Sequence, residues 1–111
     1  MSEYWDWEHQ KAETEATIAL LRAEAAVADG ALIVLDLEFV AAFDDADRPA
    51  FERALKSFGY EVTSAADDDG VEISVPDVTF GFDAIWLHEE RTTKLALARG
   101  FEPDGWGFFE P

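Results

Sequence analysis

Residues 101–110 read FEPDGWGFFE. The aromatic residues of this segment suit a β-strand, but Pro103 removes a backbone donor, and Gly105 and Gly107 have no side chain to pack. Such a strand is expected to be an edge, to be bulged or bent, or to be closely approached by something else. Asp-Gly is also a hairpin signal, but too few residues follow Gly107 for a return strand. We therefore predict one irregular strand that closes a sheet, with the upstream elements as its scaffold.

The composition indicates one folded, strongly acidic domain. The 111 residues are 49% hydrophobic, include nine Phe and four Trp, and carry a net charge of −17 from 25 acidic and 8 basic residues. This length suits a single domain with one core, over residues 1–111. The negative field disfavours direct binding to nucleic acid or to an anionic membrane. It favours a basic protein partner, or else it only keeps the protein soluble.

The sequence contains no cysteine and no segment that could span a bilayer. Its longest purely apolar run is residues 31–35, whereas a spanning helix needs about 20 such residues. The amino terminus lacks the basic and then apolar pattern of a secretory signal. We predict a soluble, cytoplasmic protein in a reducing compartment.

A long helix is predicted over residues 3–29, because Glu, Lys, Ala, Leu and Arg dominate there and neither Gly nor Pro interrupts before Gly30. Tyr4 and Trp5 lie outside its inward stripe, and they form either an exposed contact patch or a frayed terminus. The stripe itself is Trp7, Thr14, Ile18, Leu21 and Ala25.

Residues 31–110 alternate between strand and helix signals. Residues 76–81 interrupt the pattern. The predicted elements are a strand at 31–41, a helix at 47–58 with Pro49 in its first turn, a hairpin of strands at 60–63 and 71–75, a helix capped by Asp83 that runs to Ala98, and the last strand at 101–110.

This order predicts an α+β fold, a ferredoxin-like two-layer sandwich (βαββαβ) with a four-stranded antiparallel sheet and an extra long N-terminal helix. The second sheet face is then open or covered by the first helix. RNA-binding modules of this topology carry stacking aromatics and basic residues on that face. Here the residues that alternate away from the core are polar and mostly acidic: Asp36, Glu38, Glu61, Thr63, Glu72 and Ser74.

No motif predicts catalysis or metal binding. Residues 88–92, HEERT, begin like a zinc-protease helix, but Thr92 stands where the second histidine is required. The turn at 67–70, DDDG, invites a calcium interpretation, but an EF-hand register puts residues without side-chain oxygens at two ligand positions. Glu61 and Glu72 are interpreted as part of a solvated face rather than as an acid/base pair. We therefore predict no enzyme, no cofactor and no metal.

Two motifs carry a family resemblance. Residues 104–107 read DGWG and residues 58–63 read FGYEVT. In the same order, they resemble the YDGWG ending and the LGYEVT helix-strand junction of the ribonuclease E inhibitor family called regulator of ribonuclease activity B. The long acidic N-terminal helix is similar too. Pro103 departs from the family's Tyr, and the acidic tail of the enterobacterial members has no counterpart in these 111 residues.

The resemblance implies a ferredoxin-like fold and a non-catalytic regulator that binds the scaffolding region of ribonuclease E and so restrains RNA decay. Acidity suits an arginine-rich partner of this kind. Alternatively, Asp104 and Trp106 have structural roles: Asp104 organises a turn, and Trp106 packs into the core. Two other functions stay open: an immunity-type inhibitor that blocks a basic nuclease groove, and a small-ligand-binding domain near Trp106. The predicted protein-binding residues are Asp36, Glu38, Glu61, Glu72, Asp104 and Trp106.

Overall fold

The chain has an α+β fold with a four-stranded antiparallel sheet, as its sequence predicts. The computed structural model describes residues 5–24, 27–28, 30–63 and 70–110. The helices and strands within them are α1 (Trp7–Ala23), β1 (Leu32–Ala41), α2 (Arg48–Ser57), β2 (Glu61–Thr63), β3 (Gly70–Thr79), α3 (Phe82–Leu97) and β4 (Phe101–Phe109).

The sheet has the strand order β2-β3-β1-β4, and all three neighbouring pairs are antiparallel. Strands β1 and β2 therefore run parallel with β3 between them, and α2 connects them. In the same way, α3 connects β3 to β4 across β1. Each helix thus crosses one strand. Buried residues of both helices, Phe51 of α2 and Ile85 of α3, belong to the same core cluster as Leu37 of β1, so both helices pack on the buried face of the sheet.

The core lies between this helical layer and one face of the sheet. In β1 the alternation of apolar side chains determines which face is buried, and every second residue from Ile33 to Phe39 is at most 3% exposed. The ring of Phe51 in α2 packs edge-on against the ring of Phe39. Its centroid lies 5.0 Å from the centroid of the Phe101 ring in β4. Leu55 of α2 and Ile85 of α3 complete the same cluster.

Strand β4 is the irregular edge strand that its sequence predicts. Its pairing with β1 shifts register between Glu38 and Phe39, which oppose Gly105 and Pro103. Asp104 is therefore the extra residue of a β-bulge. Gly105 has φ 137°, a conformation that side chains disfavour, which explains why glycine stands at the bend.

Helix α1 is shorter than the predicted helix over residues 3–29, so that prediction is wrong at both ends. The Asp6 side chain accepts a hydrogen bond from the backbone nitrogen of His9, which starts the helix at Trp7. The helix ends at Ala23, and Val27, 6% exposed, packs in the core outside it. Tyr4 and Ala25 lie outside the described residues, as do residues 64–69, which include all of the predicted turn at 67–70 except Gly70.

The first helix does not cover the second sheet face. Its contacts are with α3, which lies between α1 and α2 in the helical layer. Thr14 and Ile18 of the predicted stripe are buried, and Trp7 and Leu21 are half-buried. Within the described residues, that sheet face is therefore open.

Two local predictions are corrected. Strand β3 does not stop at Val75 but continues through Pro76 to Thr79. Proline is tolerated there because β2 pairs only with Glu72 to Ser74, so this part of β3 is an edge. The cap of α3 is Gly81 rather than Asp83, and Gly81 offers no side-chain hydrogen bond. For α2, by contrast, the helix starts where it is predicted to, and Asp47 caps it by accepting from the backbone nitrogen of Ala50 at 3.1 Å.

Candidate functional site

Four of the six predicted binding residues lie on the open face of the sheet. Residues that oppose each other across an antiparallel pair project to the same face. Glu38 opposes Glu72, and Asp36 opposes Ser74, which also opposes Glu61 from the other side. Asp36, Glu38, Glu61 and Glu72 therefore form one group, here called the acidic face.

Hydrogen bonding and charge differ across this face. The Ser74 hydroxyl donates to the Asp36 carboxylate at 2.7 Å. Glu72 faces Glu38, and the pKa of Glu72 is raised first by burial and then by the negative charges of Glu38 and Asp36. Glu61 lies diagonal to Glu72, not opposite it. The acidic face thus concentrates like charges that a cation would neutralise.

The cations of the protein are segregated from this face. All eight Lys and Arg residues lie in the three helices, except Arg99, which follows α3 directly. The four strands contain none. In the described part of the chain, none of the four carboxylates of the acidic face forms an ion pair. The ion pairs seen lie on the helices, as in Arg48 with Glu52 at 2.9 Å.

The other two predicted residues lie elsewhere. Trp106 opposes Leu37, so it projects toward the helical layer, where it packs half-buried against the core. This placement agrees with the structural alternative for Trp106. Asp104 is exposed at the bulge of β4. The structure therefore does not bring Trp106 together with the acidic face.

Trp106 and Asp104 line a cleft that sequence reasoning missed. This cleft, of about 830 Å³, lies between α1 and β4 and is called the α1/β4 cleft below. Glu89 of α3 lines it too, although Glu89 is only 6% exposed. The sequence signal is the position of Glu89 near the middle of the inward stripe predicted for α3, where a charged residue is rarely buried without partners. That stripe consists of Ile85, Trp86, Ala96 and Leu97.

A polar network around Glu89 joins α1 to α3. The Thr14 hydroxyl donates to Glu89 Oε1 at 2.5 Å, and Gln10 Nε2 lies 3.3 Å from Glu89 Oε2 and 3.2 Å from Thr93 Oγ1. The indole nitrogen of Trp5 donates to Gln10 Oε1 at 2.8 Å. Burial raises the pKa of Glu89, the hydrogen bonds from Thr14 and Gln10 oppose this rise, and the charge of Glu13 adds to it.

His88 belongs to a separate cluster between α3 and the start of β2. Its Nδ1 lies 3.0 Å from the Tyr60 hydroxyl, to which Arg91 Nη1 donates at 3.4 Å. Burial, and secondarily Arg91, lower the pKa of His88. Burial raises the pKa of Tyr60, and Arg91 opposes that rise. These contacts connect α3 to Tyr60, which directly precedes β2.

No family model and no curated protein matches the chain. Among the described residues, none of the three helices has both the length and the apolar character to cross a membrane. Within those same ranges, no three or more His, Asp or Glu side chains are grouped so that they could hold a metal ion. The surfaces themselves are therefore the basis for a functional proposal.

Proposed function

We propose that the protein is a non-catalytic, acidic regulator that binds a basic protein through the acidic face. The observation that carries the proposal is the segregation of charge: the strands contribute Asp36, Glu38, Glu61 and Glu72 to one open face and contain no Lys or Arg. Complementary charge accelerates association and selects partners. A cationic protein segment is the natural complement of such a face.

The partner in this proposal is a ribonuclease of the ribonuclease E kind, and binding modulates RNA decay. What supports this choice is the DGWG and FGYEVT resemblance, together with a net charge of −17 that disfavours RNA itself as the ligand. A cytoplasmic location is part of the proposal, because RNA decay by such an enzyme takes place there.

A ferredoxin-like sandwich is also part of the proposal. Support comes from the strand order β2-β3-β1-β4 and from the two crossovers, each of which passes over one strand. In this arrangement one face of the sheet is left for a partner, while α2 and α3 cover the other.

The test compares two variants with the same net charge. The face variant replaces the four carboxylates of the acidic face: Asp36→Asn, Glu38→Gln, Glu61→Gln and Glu72→Gln. The control variant replaces four exposed carboxylates on or next to α1 and α3: Glu8→Gln, Glu15→Gln, Glu24→Gln and Asp83→Asn. Binding to the purified scaffolding region of a ribonuclease E is measured by calorimetry at low and high salt. We expect the face variant to bind at least about tenfold more weakly, a loss of about 1.4 kcal/mol, and the control to keep most of its affinity. Equal losses in the two variants would contradict the proposal.

The same acidic face favours a second candidate, an immunity-type inhibitor that occupies a basic nuclease groove in place of the polyanionic substrate. The two candidates differ in their target. An inhibitor of this type slows RNA cleavage by the isolated catalytic domain, whereas a regulator that binds the scaffolding region leaves that cleavage unchanged. An RNA cleavage assay on the catalytic domain alone separates them.

A further inference from the structure

The α1/β4 cleft is formed where α1 stands away from the edge strand. Trp5 lines it from the residues just before α1, Trp106 lines it from β4, and Glu89 lines it from α3. The hydrogen bond from the Trp5 indole nitrogen to Gln10 holds one ring, and packing against the core holds the other. Two aromatic side chains and a carboxyl group are thus fixed around one space.

The charges around this cleft are of one sign. Asp6, Glu13, Glu89 and Asp104 line it, and of the described residues that do so none is Lys or Arg. His9, the remaining titratable group, lies with its Nε2 3.2 Å from Glu13. Charge complementarity therefore calls for a cationic occupant.

Glu89 gives an independent reason for a cation. Its two oxygens receive hydrogen bonds from neutral groups, Thr14 and Gln10, and the charge of Glu13, which is also negative, raises its pKa further. Burying a carboxylate without a counter-charge is costly, as the raised pKa of Glu89 reflects. A cation in the cleft would lower that cost.

The aromatic side chains favour a guanidinium over an ammonium group. A guanidinium is planar, stacks on indole faces, carries five donors and is weakly hydrated, whereas an ammonium is a compact and strongly hydrated charge. A cleft with Trp5 and Trp106 beside carboxylates fits the planar cation better.

The cleft also lies next to the acidic face. Gly105 lines the cleft, and across the pair it opposes Glu38 of the acidic face. A basic peptide that passes over the bulge of β4 can thus contact both surfaces. This continuity points to a segment of a protein partner as the occupant.

We propose that the α1/β4 cleft binds the guanidinium group of an arginine side chain in a basic segment of the partner protein. This inference deepens the proposed function and rests on it for the identity of the partner. The acidic face then supplies attraction to positive charge in general, and the cleft supplies preference for arginine.

The test uses three blocked pentapeptides that carry one arginine, one lysine or one citrulline among glycines. Citrulline has the shape of arginine without its charge. Binding to the full chain is followed by tryptophan fluorescence and by calorimetry. We expect the arginine peptide to bind at least about tenfold more tightly than the citrulline peptide and about threefold or more tighter than the lysine peptide, because guanidinium pairs with carboxylates and stacks on aromatic rings.

Variants locate the binding. Glu13→Gln removes an exposed carboxylate that lines the cleft, and the matched control Glu15→Gln removes one on the same helix that does not. We expect Glu13→Gln to weaken arginine-peptide binding several-fold and Glu15→Gln to leave it unchanged. Glu89→Gln should also weaken it, with circular dichroism as the check on folding. Equal binding of the arginine and citrulline peptides, or equal effects of Glu13→Gln and Glu15→Gln, would overturn the inference.

Failure of this inference is distinguishable from failure of the proposed function. The face variant, which lacks the four carboxylates of the acidic face, should still prefer the arginine peptide over the citrulline peptide. If that preference is absent while the ribonuclease scaffolding region still binds, only the cleft assignment is wrong. If the preference is present while the scaffolding region does not bind, the partner is wrong and the cleft stands.

Discussion

Glu38 and Glu72 lie directly opposite each other across β1 and β3, on the face of the sheet that no helix of the described chain covers. Like charges in this relationship destabilise a sheet. Burial, Glu38 and Asp36 raise the pKa of Glu72, in that order, above its ordinary value of 4.5. Because the raised pKa belongs to the folded state, the cost is absent well below pH 4.5 and appears as the pH rises. The fold thus tolerates a destabilising pair that a cationic partner would relieve.

Glu72→Gln should stabilise the protein at pH 7. Removing one member of the opposed pair removes a repulsion of about 0.2–1 kcal/mol, and salt should reduce the gain by screening. The free energy of unfolding in urea, measured at low and high salt and again near pH 4, is the readout. We expect the gain to shrink in high salt and at low pH. Glu61→Gln is the control, since Glu61 opposes Ser74 rather than a carboxylate; an equal gain there would contradict the pairwise explanation.

Thr14→Val should destabilise the protein by about 1–3 kcal/mol, because it leaves a buried carboxyl oxygen of Glu89 without its donor at 2.5 Å. The matched control is Thr17→Val on the same helix, where the hydroxyl is exposed and donates to the Glu13 carbonyl. That control should cost little. Chemical denaturation measures both. In a Glu89→Ala background, which has no side-chain acceptor, the cost of Thr14→Val should fall, and an undiminished cost would show that Glu89 is not the partner that matters.

Gly100→Ala should destabilise the protein more than Gly59→Ala. Both glycines have positive φ, 86° and 87°, so alanine strains the backbone by about 1–2 kcal/mol at either position. Only at Gly100 would the added Cβ lie 2.7 Å from the backbone Cα of Ala46, whereas at Gly59 it meets nothing within 4 Å. The difference between the two unfolding free energies therefore isolates the clash. Equal losses would show that the loop around Ala46 moves away freely.

The sequence predicts those parts of the fold that depend on local signals. The alternation from Ile33 to Phe39 specified β1 and also the polarity of its other face. Asp47 likewise caps a helix that begins at the next residue. The pattern of Pro103, Gly105 and Gly107 also affects only the strand in which it lies. These signals are sufficient for β1, β4 and α2, and for the placement of the acidic face.

What the sequence did not predict depends on partners distant in the chain. Pro76 is allowed in β3 because β2 is short and because the pairing of β3 with β1 shifts register at this point, between Ile33 and Leu35, which no property of residues 76–81 reveals. The α1/β4 cleft depends on Gln10 and Thr14 meeting Glu89, more than 70 positions away. Polar residues at a helix-helix contact weaken the apolar periodicity that indicates burial. The buried carboxyl was therefore visible only as an irregularity in the stripe of α3.

The stability of the protein should fall as the pH decreases below about 6.5, because of His88. The Tyr60 hydroxyl, which accepts from Arg91, lies 3.0 Å from His88 Nδ1, and with a neutral imidazole it can donate to that nitrogen. The pKa of His88 in the folded state is lowered by burial and then by Arg91 from its ordinary value of 6.5. The unfolded chain thus takes up the proton at a higher pH than the folded chain. The stability that neutral His88 contributes is full above pH 6.5 and is lost as the pH falls toward the lowered pKa, with a slope of at most about 1.4 kcal/mol per pH unit.

Replacing this histidine tests the assignment. His88→Gln should flatten the dependence of the unfolding free energy on pH between about 5.5 and 7.5, the range around the ordinary histidine pKa and above that of carboxylates. The control is His9→Gln, which replaces the exposed histidine of α1 and leaves the Tyr60 contact intact. That variant should keep the slope of the parent protein. Tyr60→Phe removes the hydroxyl that contacts His88 but not the burial of the imidazole, so it should lower stability at pH 7 while part of the slope stays. A slope that persists unchanged in His88→Gln would assign the pH dependence to other groups.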